Sequence, residues 1–403
     1  MWFFLRSGMT VIAAAESVRL CLRYLLRWGV PLLLAACAVK APVKPVPPTG
    51  QSAPVIRSPV DASGRPLPSH ESSAAEQRNS QLIPVPWSEL PGWEKESMPE
   101  VWAVLTANCE KPGSLMAALC PQIRRLALAE ADEQRQWLMQ QLQPHRLESL
   151  QAQVNGLLTA YYEPVIDARR VPDNGFSIPL YRVPAGLKPG QPWFSRQEIE
   201  TQPTAQAALH GREIAWLADP VDAMVLHIQG SGRLRITEGD GRTHMVRVAF
   251  AASNERPYQS IGRWLLDKNE IKDASWPGIK AWLQRNPQKA QALFWANPRY
   301  VFFKEEAITD AGIGPRGAHG LPLTPGRSIA VDPLSVAYGT PLWLVSPGPT
   351  QALQRLVVAQ DTGSAILGAV RADLYLGTGA AAGELAGRMK QSLRLWALLP
   401  KVQ

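Results

Sequence analysis

The chain has 403 residues, 46% of them hydrophobic, with 42 Lys and Arg against 34 Asp and Glu and a formal charge of +8. The basic residues are scattered rather than blocked, so no nucleic-acid partner is expected; a polymer bearing peptide carboxylates fits a secreted basic protein better. Four cysteines without a CxxC pair, and six histidines without ligand spacing, offer no metal or redox motif, so no metal or cofactor is expected.

The first segment sets the compartment. Arg19, Arg23 and Arg27 precede a short apolar run, Trp28 to Ala36, ending Leu34-Ala35-Ala36-Cys37. A positive stretch, an apolar run too short to span a bilayer and small residues before the cut describe a secretory signal, with Met9 a candidate start. Leu-Ala-Ala-Cys resembles the bacterial lipoprotein cleavage box. That resemblance implies a leader over 1–36, lipidation of Cys37, and, with Ala38 next to it, sorting to the periplasmic side of the outer membrane. Residues 37–86 are dominated by Pro, Ser, Ala and Val with no aromatic residue before Trp87, so a flexible tether is expected.

About 320 residues follow, room for two domains. Helices are predicted at Met98 to Asn108 and from Pro121 through Leu142, since proline suits a first helical turn. Cys109 and Cys120 flank EKPGSLMAAL; in an oxidising compartment they either bridge or remain two buried thiols. From Gly156 onward short β-prone runs alternate with Gly, Pro, Asp and Asn: LLTAYYEP, FSIPLYRVP, AMVLHIQGSGRLRI, HMVRVAFAA, SIAVDP, PLWLVS and RLVVAQD. Helical pieces are predicted at Ser260 to Leu266 and Gly278 to Phe294. The pattern describes an α+β chain, mostly β, built on closed or strongly curved sheets, with a cleft between two domains for a polymer.

Three aspartates stand out: Asp332 in RSIAVDP, Asp361 in VVAQDTGSA and Asp373 in RADLYLG. Each follows a short apolar run and precedes a turn, which predicts carboxylates at strand ends facing a cleft. Without a nucleophile motif, they are the candidates for acid/base chemistry. Asp332, before Pro333, is equally a turn or capping residue.

Several long motifs resemble one family in its order. GLLTAYYEP (Gly156 to Pro164), DPVDAMVLHIQGSGR (Asp219 to Arg233), Pro257-Tyr258, Asn297-Pro298 to Phe303, and LPLTPGRSIAVD (Leu321 to Asp332) are similar to the membrane-bound lytic murein transglycosylase A family, with Ala160 where the family usually has Gly. The likeness runs from Trp93 to Leu399 and includes a terminal three-aspartate domain over 327–399. It implies a double-psi β-barrel catalytic domain from 87–170 and 298–403, a second β-barrel domain inserted at 171–297, and a groove between them for a peptidoglycan glycan strand. It also implies non-hydrolytic cleavage of the β-1,4 bond between N-acetylmuramic acid and N-acetylglucosamine, leaving a 1,6-anhydromuramyl end.

The implied site has Asp373 as acid and then base and Asp361 as a neighbour tuning its pKa or orienting the sugar. One carboxyl group suffices when the substrate's own C6 hydroxyl is the nucleophile, whereas hydrolases place two carboxylates about 5–5.5 or 6.5–9.5 Å apart. Tyr161 and Tyr162 are candidate sugar platforms or ordinary strand residues. Glu163 is a candidate hydroxyl ligand or a structural ion-pair member. Gln229, Ser231 and Arg233 lie in a predicted glycine-flanked turn open to a ligand or merely a tight hairpin, and His227 reads as a structural histidine. Proteins of cell-wall synthesis or turnover are further expected partners. The alternatives are a hydrolytic glycosidase pairing Asp361 with Asp373, and an inactive murein-binding lipoprotein.

Overall fold

A computed structural model describes residues 79–111 and 116–401. The leader, Cys37 and most of the expected tether lie outside the described residues. Among those described, no helix is long and apolar enough to cross a membrane.

The chain opens with β1 (Ser80–Pro84), then α1 (Met98–Asn108), α2 (Cys120–Arg125) and α3 (Ala131–Gln141), followed by β2 (Leu142–Ser149) and β3 (Gly156–Glu163). A central segment holds β4 (Val165–Arg169), β5 (Ile178–Tyr181), α4 (Arg196–Thr201), α5 (Pro203–Leu209), β6 (Glu213–Leu217) and α6 (Pro220–Gln229). It continues through β7 (Ser231–Thr237), β8 (Thr243–Ser253), α7 (Ile261–Asp267), α8 (Trp276–Arg285), α9 (Ala290–Trp295) and β9 (Val301–Ala307). The last part is β10 (Ser328–Val331), β11 (Pro341–Ser346), β12 (Leu353–Asp361), β13 (Arg371–Thr378), α10 (Ala380–Arg388) and β14 (Lys390–Pro400).

One sheet runs β1-β2-β14-β11-β12-β10-β13-β3, and an additional β14–β3 pairing joins six of these strands into a ring. The ring is a nearly closed, barrel-like sheet in a mostly β protein. Closure explains why PLWLVS is apolar throughout: Leu342 and Leu344 fill the barrel interior, while Trp343 and Val345 face out against the leading helices. Val101, Trp102, Val104 and Leu105 of α1 join that outer cluster with Trp396 and Leu398 of β14. Each such buried side chain contributes roughly 1.5–3 kcal/mol. Ion pairs fasten the helical segment to the barrel: Arg327, just before β10, meets the buried Glu96 at 3.0 Å and the exposed Glu100 at 2.7 Å.

The second sheet runs β5-β6-β4-β7-β8-β9. Among the described residues no pairing joins its edge strands, yet Leu180 of β5 and Val301 and Phe303 of β9 share one apolar core, so the sheet curls around its own interior. It takes in β4 and β9, so the central unit extends beyond the expected 171–297 at both ends. Likewise β1 pairs with β2, which brings ordered structure into the segment expected as tether up to 86.

Three predicted elements differ. The helix expected from Pro121 through Leu142 is two helices, because Ala129 and Glu130 adopt extended conformations and let both apolar faces meet α1. The Gly278–Phe294 helix is interrupted near Pro287, which starts a 3-10 turn between α8 and α9. The run AMVLHIQ, read as strand, is helix α6. Its Asp219 side chain caps Val221 N–H at 2.8 Å, Pro220 occupies the first turn, and Gly230 ends it at φ 78°. Those are helix start and stop signals; burial of Ala223 through His227 hid the periodicity.

Candidate active site

Barrel register creates the site. Ala330 of β10 pairs with Asp373 of β13 on one side and with Asp361 of β12 on the other. The two aspartates therefore stand two strands apart, about 10 Å at the backbone. Asp361 ends its strand as expected. Asp373 does not: it is the third residue of β13, and since Ala372 and Leu374 enter the barrel core, Asp373 faces outward.

Across the parallel β13–β3 pairing Asp373 sits opposite Thr159, whose hydroxyl donates to Oδ1 at 2.5 Å. The guanidinium of Arg371 donates in turn to the Thr159 hydroxyl at 2.8 Å. Oδ2 has no hydrogen-bond partner among the described residues. Burial raises the Asp373 carboxyl above the usual range; Thr159 and Arg371 oppose that shift, and the Asp361 charge adds to it. Burial also raises Asp361, whose Oδ2 accepts from the Tyr161 hydroxyl at 2.8 Å and Oδ1 from the Ala318 N–H at 2.9 Å.

Two cavities of about 470 and 460 Å³ share Ile228 and Gln229 at the end of α6. Thr159 and Tyr162 line one, with Trp276 on the facing unit; Tyr161, Ser231 and Asp361 line the other, with Phe250 opposite. Together they outline a groove between the barrel and the central segment, with Asp361 and Thr159, the hydrogen-bond partner of Asp373, on the barrel wall. Two aromatic side chains on the other wall, Trp276 and the 48% exposed Phe250, escaped the sequence reading. So, as site residues, did Thr159 and Tyr258, although they sit inside GLLTAYYEP and the Pro257-Tyr258 motif; burial raises the Tyr258 hydroxyl, a Ser260 hydrogen bond opposes that, and the Asp373 charge adds to it.

The remaining predicted residues separate into two groups. Gln229 Oε1 accepts the Tyr162 N–H at 3.0 Å, tying α6 to β3 beside the groove. Gln229 and Ser231 do flank Gly230, but as the end of a helix and the start of β7, not as a hairpin. The Tyr162 ring packs on α10, where a Cβ on Gly383 would fall 2.7 Å from it. Glu163 is fully buried and is the ion-pair member, not a free ligand: Arg233 Nε meets it at 2.8 Å, Arg247 Nε at 2.5 Å, and the Thr378 hydroxyl donates at 2.8 Å. Arg233 is spent there and on the Ala311 carbonyl. His227 is buried, accepting the Val301 N–H through Nδ1 at 3.0 Å. Asp332 holds a turn, accepting from Leu334 N–H at 3.0 Å and Gly368 N–H at 2.8 Å. Cys109 and Cys120 form a disulfide.

Comparison with known proteins gives a consistent result. Residues 157–304 match the MltA specific insert domain and residues 327–399 the 3D domain. Membrane-bound lytic murein transglycosylase A of Vibrio cholerae is 33% identical over 260 residues, 61% of this chain and 66% of that protein, so the alignment spans just under two thirds of the relative. The lytic transglycosylase LtgG of Burkholderia pseudomallei is 40% identical, with 80% of this chain and 96% of that one covered and a TM-score of 0.54. MltA of Escherichia coli, solved with bound chitohexaose, is 25% identical over 81% and 93% of the two chains, with a TM-score of 0.62. Motif order, a nearly closed aspartate-bearing barrel, an inserted second sheet and these likenesses agree: the chain belongs to the membrane-bound lytic murein transglycosylase A family.

Proposed function

We propose that the chain is a lytic transglycosylase that cleaves the β-1,4 bond between N-acetylmuramic acid and N-acetylglucosamine in peptidoglycan, with Asp373 as its single acid and base. The protonated Oδ2 gives its proton to the bridging oxygen as the bond to the muramyl anomeric carbon breaks. The muramyl C6 hydroxyl then attacks that carbon, and its proton passes to the Asp373 carboxylate. The product carries a 1,6-anhydro ring, no water is consumed, and Asp373 ends protonated as it began.

One observation carries this reading over a two-carboxylate hydrolase. Asp361 has both oxygens engaged, by Tyr161 and by Ala318 N–H, and stands two strands from Asp373. Such a carboxylate is suited to holding the cleft wall and keeping Asp373 protonated, not to activating water. The chitohexaose bound by the Escherichia coli relative supports glycan strands as the occupant of the groove. Lipidation at Cys37 and attachment to the outer membrane complete the proposal, in keeping with the membrane-bound relatives.

Mass spectrometry of muropeptides released from purified sacculi tests the reaction. Products one water lighter than hydrolysis products are expected. Reducing muramic ends would place water as the nucleophile, and no release by folded protein would favour the inactive scaffold. Asp373→Asn should lower turnover by about 10²–10⁴-fold while glycan binding is retained.

A further inference from the structure

A third cavity, about 630 Å³, lies in the inserted unit and is lined by Tyr181, Arg196, Glu200, Trp216, Trp295 and Tyr300, among others. Its volume falls in the range of small-molecule sites. His227 stands on both its wall and that of the groove cavity bearing Asp361.

Arg196 is what makes the cavity a built site. Ser195 caps α4 and places Arg196 at its first position, with its side chain only 4% exposed. Nε donates to the Asn297 carbonyl at 3.2 Å and Nη2 to the Arg299 carbonyl at 2.9 Å, so the fork is rigidly held. The Tyr300 ring lies 5.0 Å from the guanidinium carbon. The nearest carboxylate, Glu200, keeps Oε1 3.8 Å from Nη1, while its Oε2 is taken by Gln291 at 2.5 Å and Trp295 Nε1 at 2.7 Å. A buried cation is thus left loosely compensated beside an aromatic-walled space.

We propose that this cavity binds a small carboxylate-bearing molecule, of dipeptide or amino-sugar-acid size, with its carboxylate on Arg196 and its ring or acyl face against the aromatic walls. A guanidinium fork recognises a carboxylate in two contacts, and the flat rings accept the apolar face of a sugar or side chain. The site is separate from the proposed cleavage chemistry. Only the choice of probes rests on the murein reading.

Calorimetric titration of the folded protein tests it, with N-acetylmuramic acid and D-alanyl-D-alanine as probes. N-acetylglucosamine and the dipeptide amide serve as counterparts that lack the carboxylate. At least one acid is expected to bind at least tenfold more tightly than its carboxylate-free counterpart, and which of the two does so separates a sugar source from a peptide source. Gln206→Trp, an exposed rim position, should abolish that binding and leave sacculus cleavage unchanged, while Arg196→Lys should weaken it at least tenfold. Loss of probe binding in Gln206→Trp with cleavage retained is what separates this site from the groove, because Gln206 lines this cavity alone. Failure of both acids to bind, equal binding of their carboxylate-free counterparts, or binding untouched by Gln206→Trp would overturn the proposal.

Discussion

Asp373 is both a chemical group and a stability liability. Burial raises its folded-state pKa above the ordinary 3.8, so the fold is favoured most where the group is protonated in both states. That contribution is present below the unfolded value and is lost as pH rises through the folded one. Asp373→Asn cannot ionise, so its melting temperature should gain on the wild type as pH rises from 3 to 8, read by calorimetric scans. A gap that stays constant with pH would show that burial does not raise the carboxyl. Asp361 and Asp332 stand where turn residues after apolar runs place them, whereas Asp373 lies inside β13. Their division of labour was not legible in the sequence, because Thr159 and Ala318, which decide what each carboxylate can do, lie 214 and 43 residues away.

At the scale of elements, helix signals at chain ends proved more dependable than apolar pattern. Asp219-Pro220 and Gly230 bracket α6 correctly, whereas its run of five buried residues mimicked a strand. The same burial explains why PLWLVS gives no alternation: the barrel takes one face and the helices the other. The Cys109–Cys120 bridge closes a short loop after α1, with a sequence separation of 11. Replacing both cysteines by serine should cost about 2–3 kcal/mol and lower the melting temperature by several degrees, measured against reduced and oxidised wild type. An unchanged melting temperature in all three samples would mean that the bridge adds nothing to the folded unit.

For the whole molecule, Glu163 is the rivet between the two sheets. It ends β3 of the barrel and receives Arg233 of β7 and Arg247 of β8, which also grip the Ala311 and Ile313 carbonyls of the returning chain. Glu163→Gln would leave two buried guanidinium groups without their carboxylate, a loss of about 3–5 kcal/mol. A melting temperature lower by on the order of 10 °C is expected. Since the rivet joins the barrel to the second sheet, KM for glycan should rise more than kcat falls. A variant as stable as wild type would refute the rivet.

The sequence by itself determined the chemistry available and its family: aspartates in strand-rich surroundings, no metal motif, and long ordered motifs running from Gly156 to Asp332. Those are properties of contiguous residues, and local propensity and spacing record them. Only the tertiary structure decided which residues share a wall. Ala330 sets Asp361 and Asp373 apart through strand register, and Glu163 is claimed by arginines 70 and 84 positions away. Register and long-range pairing arise from sheet closure, which no window of neighbouring residues encodes.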